Sequence, residues 1–315
     1  IKMIGRSLGE TKKKTSLIKR LKLRTTWPLL LMLVFPIVFL ILFHYVPLFG
    51  IRLAFVRFNP RKGIWGSPYV GTKYFAQLFS TLKFWTILKN TLIISIEKII
   101  VTMFFSVSFA LILSGFKWKF GSKMFQSIML FPWFISWIIL STIFLNVFSS
   151  EGAVNAALSA LGMRNVSFFT NQTAFHWLVI FSSAWKGMGY NMVILITAIN
   201  GIDSGLYEAA KIDGANRARQ TWHVTLPGIR PMMILLLILS LGSILNAGFD
   251  QIYTLYNSAL YESAEIIDTY VYKIGLQSAQ YSLGTATGIF KSAVGAVLMV
   301  ISYFLASKLA NYRVF

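Results

Sequence analysis

The chain has 315 residues, 56% hydrophobic and 13% charged, and 30 Lys+Arg against 10 Asp+Glu leave a net charge of +20. A soluble domain carries about 25% charged residues, and a nucleic-acid-binding one would set its cations on a polar face; here they fall between long apolar runs, which indicates a membrane protein and excludes nucleic acid as partner. Without cysteine there is no disulfide, thiolate metal site or cysteine nucleophile, and His44, His176 and His223 lie far apart outside any metal-binding pattern.

In chain order, residues 1–26 form a basic tail containing "KKKTSLIKRLKLR". It reads either as a lipid-headgroup anchor or as an ordinary positive-inside signal. No small-residue cleavage site follows the first apolar run, which is too long for a signal peptide's apolar core. A bilayer core of roughly 30 Å takes about 20 apolar helical residues. Six segments meet that length: 27–49, 88–113, 124–148, 175–199, 231–249 and 285–307. The fold class is therefore all-α, with residues 27–315 as a single transmembrane domain. Pro36 and Pro132 fall inside spans, where neighbouring helices can absorb the break.

Basic residues collect on the side of the N-terminal tail and the loop "FKWKFGSK", which places both termini and residues 204–230 in the cytosol. The loop after the first span opposes the trend with Arg52, Arg57, Arg61, Lys62, Lys73 and Lys83. Asn165 and Asn171 begin Asn-x-Ser/Thr sequons in the second outer loop, relevant only where the host glycosylates.

Residues 204–230 break the apolar pattern. Asp203 or Ser204 can cap a helix over 206–213, Gly214 can end it, and a second helix can run over 216–223 before Leu226-Pro227-Gly228 turns the chain back. Glu208, Lys211, Asp213, Arg217 and Arg219 surround the junction. From the residues alone, a docking element for a soluble partner and a solvated helical loop both fit.

The order Glu208-Ala209-Ala210, two residues, Asp213-Gly214-Ala215, six residues, Trp222, three residues, Leu226-Pro227 resembles the EAA motif of ATP-binding-cassette importer permeases. Trp222 stands where that family usually has Phe. The stretch from His44 to Phe75 is similar to carbohydrate permeases of Gram-positive bacteria that handle complex polysaccharide fragments. The resemblance implies a type I importer transmembrane domain whose segment 204–230 couples to an ATPase subunit. It also implies a second homologous permease, two ATPase subunits carrying ATP and Mg, an extracellular or periplasmic sugar-binding protein, and a place in the bacterial plasma membrane. This chain itself lacks GxxxxGK[ST], as it lacks Gly-x-Ser-x-Gly, so it has no catalytic role and binds no cofactor.

Charges within spans are costly, about 2.5–3.5 kcal/mol for a central lysine. Glu97 and Lys98 fall in the second span, Lys186 in the fourth, Asp250 at the end of the fifth and Lys291 in the sixth. Lys186, Tyr190 and Asn191 suit a sugar, but the same stretch suits helix packing through Gly187 and Gly189. The family resemblance adds Asn246, Phe249, Asp250 and Gln251 as path residues. Lys186, Lys291 and the outer-loop cations suit an acidic, uronate-containing oligosaccharide; the alternative is that they meet lipid headgroups or internal carboxylates. A self-contained carrier or channel driven by an ion gradient is the other functional class, and it would favour inverted repeats and midplane carboxylate pairs. Neither is visible.

Overall fold

The computed structural model describes residues 23–116 and 118–309. Most of the expected basic tail, and the C-terminal end, lie outside these residues. The chain divides into two compact units, 1–52 and 53–315. In the first, α1 (Leu23–Leu40) continues through a π-helical turn at Ile41–Tyr45 into a 3₁₀ stretch, Val46–Phe55, whose last three residues already belong to the second. Pro47 lacks the N–H that would extend the ladder. The described apolar side chains of residues 31–49 are exposed, Phe35 at 78%, which suits contact with hydrocarbon.

The second unit contains α2 (Lys73–Ser80), α3 (Leu82–Ser114), α4 (Lys119–Phe134), α5 (Trp137–Val147), α6 (Ala153–Ala160) and α7 (Gln172–Asn200). It continues with α8 (Ser204–Ile212), α9 (Arg217–Gln220), α10 (Leu226–Gly242), α11 (Phe249–Leu255), α12 (Ile267–Val271) and α13 (Tyr281–Leu309). Among the described residues, five helical stretches are long and apolar enough to cross a membrane: Leu30–Phe55, Leu82–Ser114, Gln172–Asn200, Arg217–Gly242 and Tyr281–Leu305. The pair α4–α5, bent by 101°, makes a sixth.

Two expected spans take a different course. Residues 124–148 do not form one helix: Ile135 and Ser136 are extended, so α4 ends and α5 starts anew with Ser136 accepting from the Ile139 N–H. Pro132, without an N–H, weakens the last turn of α4. The fifth span starts earlier and stops sooner than 231–249. Leu226-Pro227-Gly228 makes no turn but lies within a continuous helix, the N–H missing at Pro227 falling where the π turn already interrupts the α-helical ladder. The helix instead reaches back through a π turn at Thr221–Thr225 to α9 and ends at Gly242.

The centre of this unit is α3 against α7. Met103, Ala110 and Leu113 of α3 interlock with Met192, Leu195 and Ile199 of α7 and with Ile229 and Leu236 of α10. A second core joins Ile94, Phe175, Val179 and Ile180 to Ile252 and Leu255 of α11. Gly189 lets α4 touch the α7 backbone, since a Cβ there would collide with the Met129 carbonyl oxygen. Outside the bundle, the loop before α2 is tied to α13: the Ser282 hydroxyl donates to the Val56 carbonyl at 2.7 Å and accepts from the Phe58 N–H.

Candidate functional site

Polar residues on α3 recur at Thr91, Ser95, Lys98, Thr102 and Ser106. These spacings of three and four put them on one helix face. The two ends of the stripe hold neighbouring elements: Thr91 accepts from the Ile267 N–H at 3.0 Å, and Ser106 donates to the Met188 carbonyl at 3.2 Å. Its middle opens into a cavity of about 350 Å³, within the range of small-ligand pockets. Ser95, Lys98 and Thr102 of α3 line it, with Trp133 and Trp137 flanking the α4–α5 break. Ser183 and Asn191 of α7, Ser240 of α10, and Ser243, Asn246 and Gln251 beyond it complete the polar wall. Among the described residues, no carboxylate lines this space.

Lys98 is buried, and its Nζ donates to the Ala247 carbonyl at 2.7 Å and to Oε1 of Gln251 at 2.5 Å. Gln251 in turn donates to the Val179 carbonyl and to the Ser182 hydroxyl, both at 2.8 Å. One lysine and one glutamine thus join α3, the end of the fifth span and α7 (φ +92° at Gly248 makes the bend between α10 and α11). Glu97 does not share this site. Consecutive helix residues point about 100° apart, and Glu97 faces His176 of α7 at 2.5 Å.

Of the eight path residues expected from sequence, Asn191, Asn246 and Gln251 line the cavity. Lys186 turns to the break in the third span, where its Nζ donates to the carbonyls of Pro132, Trp133 and Ile135 at 3.0, 2.9 and 2.5 Å. A helix end leaves such carbonyls unpaired, and a cation there also opposes the helix dipole. Tyr190 stacks on Trp133 at 4.7 Å. Phe249 stacks on Tyr253 at 5.2 Å, and Asp250 is exposed at the start of α11. Lys291 pairs with Asp268 of α12 at 2.5 Å. Lys98 was legible as a costly charge but not as a lining group; the signal was the polar stripe around it.

A separate group of charges gathers around Glu265. The buried Glu265 carboxylate takes Lys273 at 2.8 Å and Lys83 at 3.2 Å. Burial, and with it the Glu265 charge, raises the Tyr256 phenol nearby. Arg57, Arg61, Lys62 and Lys73 are exposed.

Residues 204–230 are well defined. Asp203 caps α8 by accepting from the Gly205 N–H at 2.9 Å. At the other end, Gly214 takes φ +76°, its N–H bonds the Lys211 carbonyl and the Ala215 N–H bonds the Ala210 carbonyl, a Schellman closure. Asn216 then caps α9 through the Arg219 N–H. Glu208, Ala209, Asp213, Gly214 and Pro227 are exposed, while Ala210, Ala215 and Leu226 are half-buried. Trp222, 69% exposed, stands with exposed Leu206 and Ile212 as apolar residues among charges. The Tyr207 hydroxyl and Thr225 Oγ1, 3.0 Å apart, bind α8 to the π turn.

Residues 103–311 match the family model described as "Binding-protein-dependent transport system inner membrane component". The chain belongs to that family. It is a multi-pass membrane permease, and the ion-gradient carrier left open by the residues is set aside. The permease is 38% identical over 307 residues to the polygalacturonan/rhamnogalacturonan transport system permease protein YteP of Bacillus subtilis, covering 96% of this chain and 94% of that one. It is 35% identical to Protein LplB of the same organism, over 90% of each chain. A chain in the crystal structure of a bacterial ABC transporter involved in import of the acidic polysaccharide alginate superposes with a TM-score of 0.83 at 33% identity, over 91% of this permease and 97% of that chain. Another crystal structure of the alginate transporter, in complex with a periplasmic protein bound to alginate pentasaccharide, matches at the same TM-score and identity.

Proposed function

We propose that this permease is one of two transmembrane subunits of an ATP-driven importer of acidic, uronate-bearing oligosaccharides in a bacterial plasma membrane. The observation that carries this reading is the cavity itself, which offers hydroxyls, amides, two indole rings and one ammonium without a carboxylate. A pyranose has an apolar face for an aromatic ring and a rim of hydroxyls for amides. The relatives favour the acidic class, since galacturonate and alginate units each carry a carboxylate. The exposed cations of the outer loop would raise the local concentration of such an anion.

Family membership supports the same reading for the rest of the machine. A second permease would supply the facing half of the passage, and a sugar-binding protein would deliver cargo from outside. Two ATPase subunits would bind ATP and Mg, with both permease termini on their side of the membrane. The surface made by Glu208, Ala209, Ala210, Asp213, Gly214 and Ala215, with Trp222 and the Leu226-Pro227 start of α10 behind it, is the coupling element that seats in an ATPase groove. Nucleotide-driven closure would move that element and alternate access to the cavity. In the reconstituted complex, binding protein loaded with an acidic oligosaccharide should stimulate ATP hydrolysis more strongly than a neutral one of equal length. Stimulation by neutral sugars alone would overturn the substrate class.

A further inference from the structure

We infer that the Lys98 ammonium is the cation that receives the substrate's carboxylate within the membrane, with Ser95 beside it. This assignment rests on the acidic-substrate reading and moves the charge selectivity away from the two lysines that stood out in the sequence. Lys186 is engaged by three carbonyls and Lys291 by Asp268. Neither lines the cavity; Lys98 does.

Three observations converge on it. The two partners of Lys98 are neutral, an amide carbonyl and a glutamine oxygen, so an ammonium with three donors keeps one for the cavity. The carboxylates Glu97, Glu265 and Asp268 engage His176, Lys83 with Lys273, and Lys291 respectively, while Asp250, beside Gln251, is exposed and lies outside the cavity lining. Ser95, 4% exposed and lining the same cavity, has a buried hydroxyl without a hydrogen-bond partner. It lies three residues before Lys98 on the same helix face. An unneutralised lysine and an idle hydroxyl beside a polar space are costly inside a membrane unless something passing through satisfies both. A uronate does: one carboxylate oxygen accepts from Nζ, and the other from the Ser95 Oγ. A single charge-assisted contact orients the sugar without trapping it, and passage requires binding weak enough to leave.

The test uses the whole importer complex in vesicles, with an oligogalacturonate and its methyl ester of equal length as probes. A charged hydrogen bond is worth about 1.5–3 kcal/mol, so the acid should be preferred over the ester by roughly ten- to a hundredfold. Lys98→Gln, which keeps a donor for the Ala247 carbonyl, should lose that preference while still transporting the ester. Ser95→Asp leaves the Lys98 side chain unchanged and places a neutralising carboxylate one turn away; it too should lose the preference. A preference retained in both variants, or acid and ester uptake falling in parallel, would overturn the assignment while leaving the substrate class intact. A wild-type complex that takes the ester and ignores the acid would overturn the acidic-substrate reading itself.

Discussion

The Lys186 Nζ lies 3.0 Å from the carbonyl oxygen of Pro132, across the gap between the fourth and the broken third span. With the carbonyls of Trp133 and Ile135 it closes the end of α4, and the rings of Trp133 and Trp137 stand 5.9 and 5.7 Å from the ammonium. The lysine therefore acts as the cap of an interrupted helix. Lys186→Met should leave those carbonyls unpaired at a cost of about 1–3 kcal/mol. The expected result is a lower thermal midpoint of the detergent-solubilised complex, with uptake of acidic and neutral probes reduced alike. A selective loss of acidic uptake would contradict the capping role.

Gly214 is the position in residues 204–230 where backbone conformation decides the sequence. A Cβ at this position would have no atom within 4 Å, so crowding within this chain is not the constraint; φ of +76° is. Gly214→Val should strain the closure of α8 by about 1–3 kcal/mol, displacing Asp213 and Ala215 while the spans still insert. ATPase activity stimulated by loaded binding protein should fall at unchanged membrane abundance. Full stimulation in the variant would count against coupling through this segment.

Gly189 presents the opposite case, ordinary backbone with no room. Gly189→Ala must part α7 from the Met129–Leu130 backbone, and overpacking of this kind costs typically about 1–3 kcal/mol. Reduced membrane abundance and a lower thermal midpoint are expected. Gly187→Ala, whose Cβ would meet only the Thr102 methyl at 3.3 Å, should be the milder change. Equal effects would show that the α4 contact is not what Gly189 protects.

Asp268 and Lys291 join α12 to α13 as a half-buried pair. Asp268→Asn and Lys291→Met should therefore not add: the double variant should be less destabilised than the sum of the singles by about 0.5–3 kcal/mol. Additivity in a thermal or denaturant measurement would show that the pair is not coupled. Acid preference in uptake should survive in Lys291→Met.

Composition and hydropathic length were sufficient for the membrane class and the number of spans, because a bilayer imposes its thickness on any chain that crosses it. The first part of the exposed segment was legible too: the Asp203 cap and glycine at a left-handed position are local devices, set by residues within a turn of one another, whereas the expected turn at Leu226-Pro227-Gly228 gave way to a continuous helix. What lay beyond the sequence was the assignment of charges. Lys98, Lys186 and Lys291 are alike as lysines in apolar runs, and their roles differ only through what other helices bring within hydrogen-bonding reach. The break at 135–136 supplied carbonyls to Lys186, the π turn before α10 shifted the fifth span, and the bend at Gly248 carried Ala247 and Gln251 to Lys98. Such partners lie 23 to 153 residues away in the chain. Tertiary packing, which sets one helix face against another, decides which buried cation is already satisfied and which is left for a ligand.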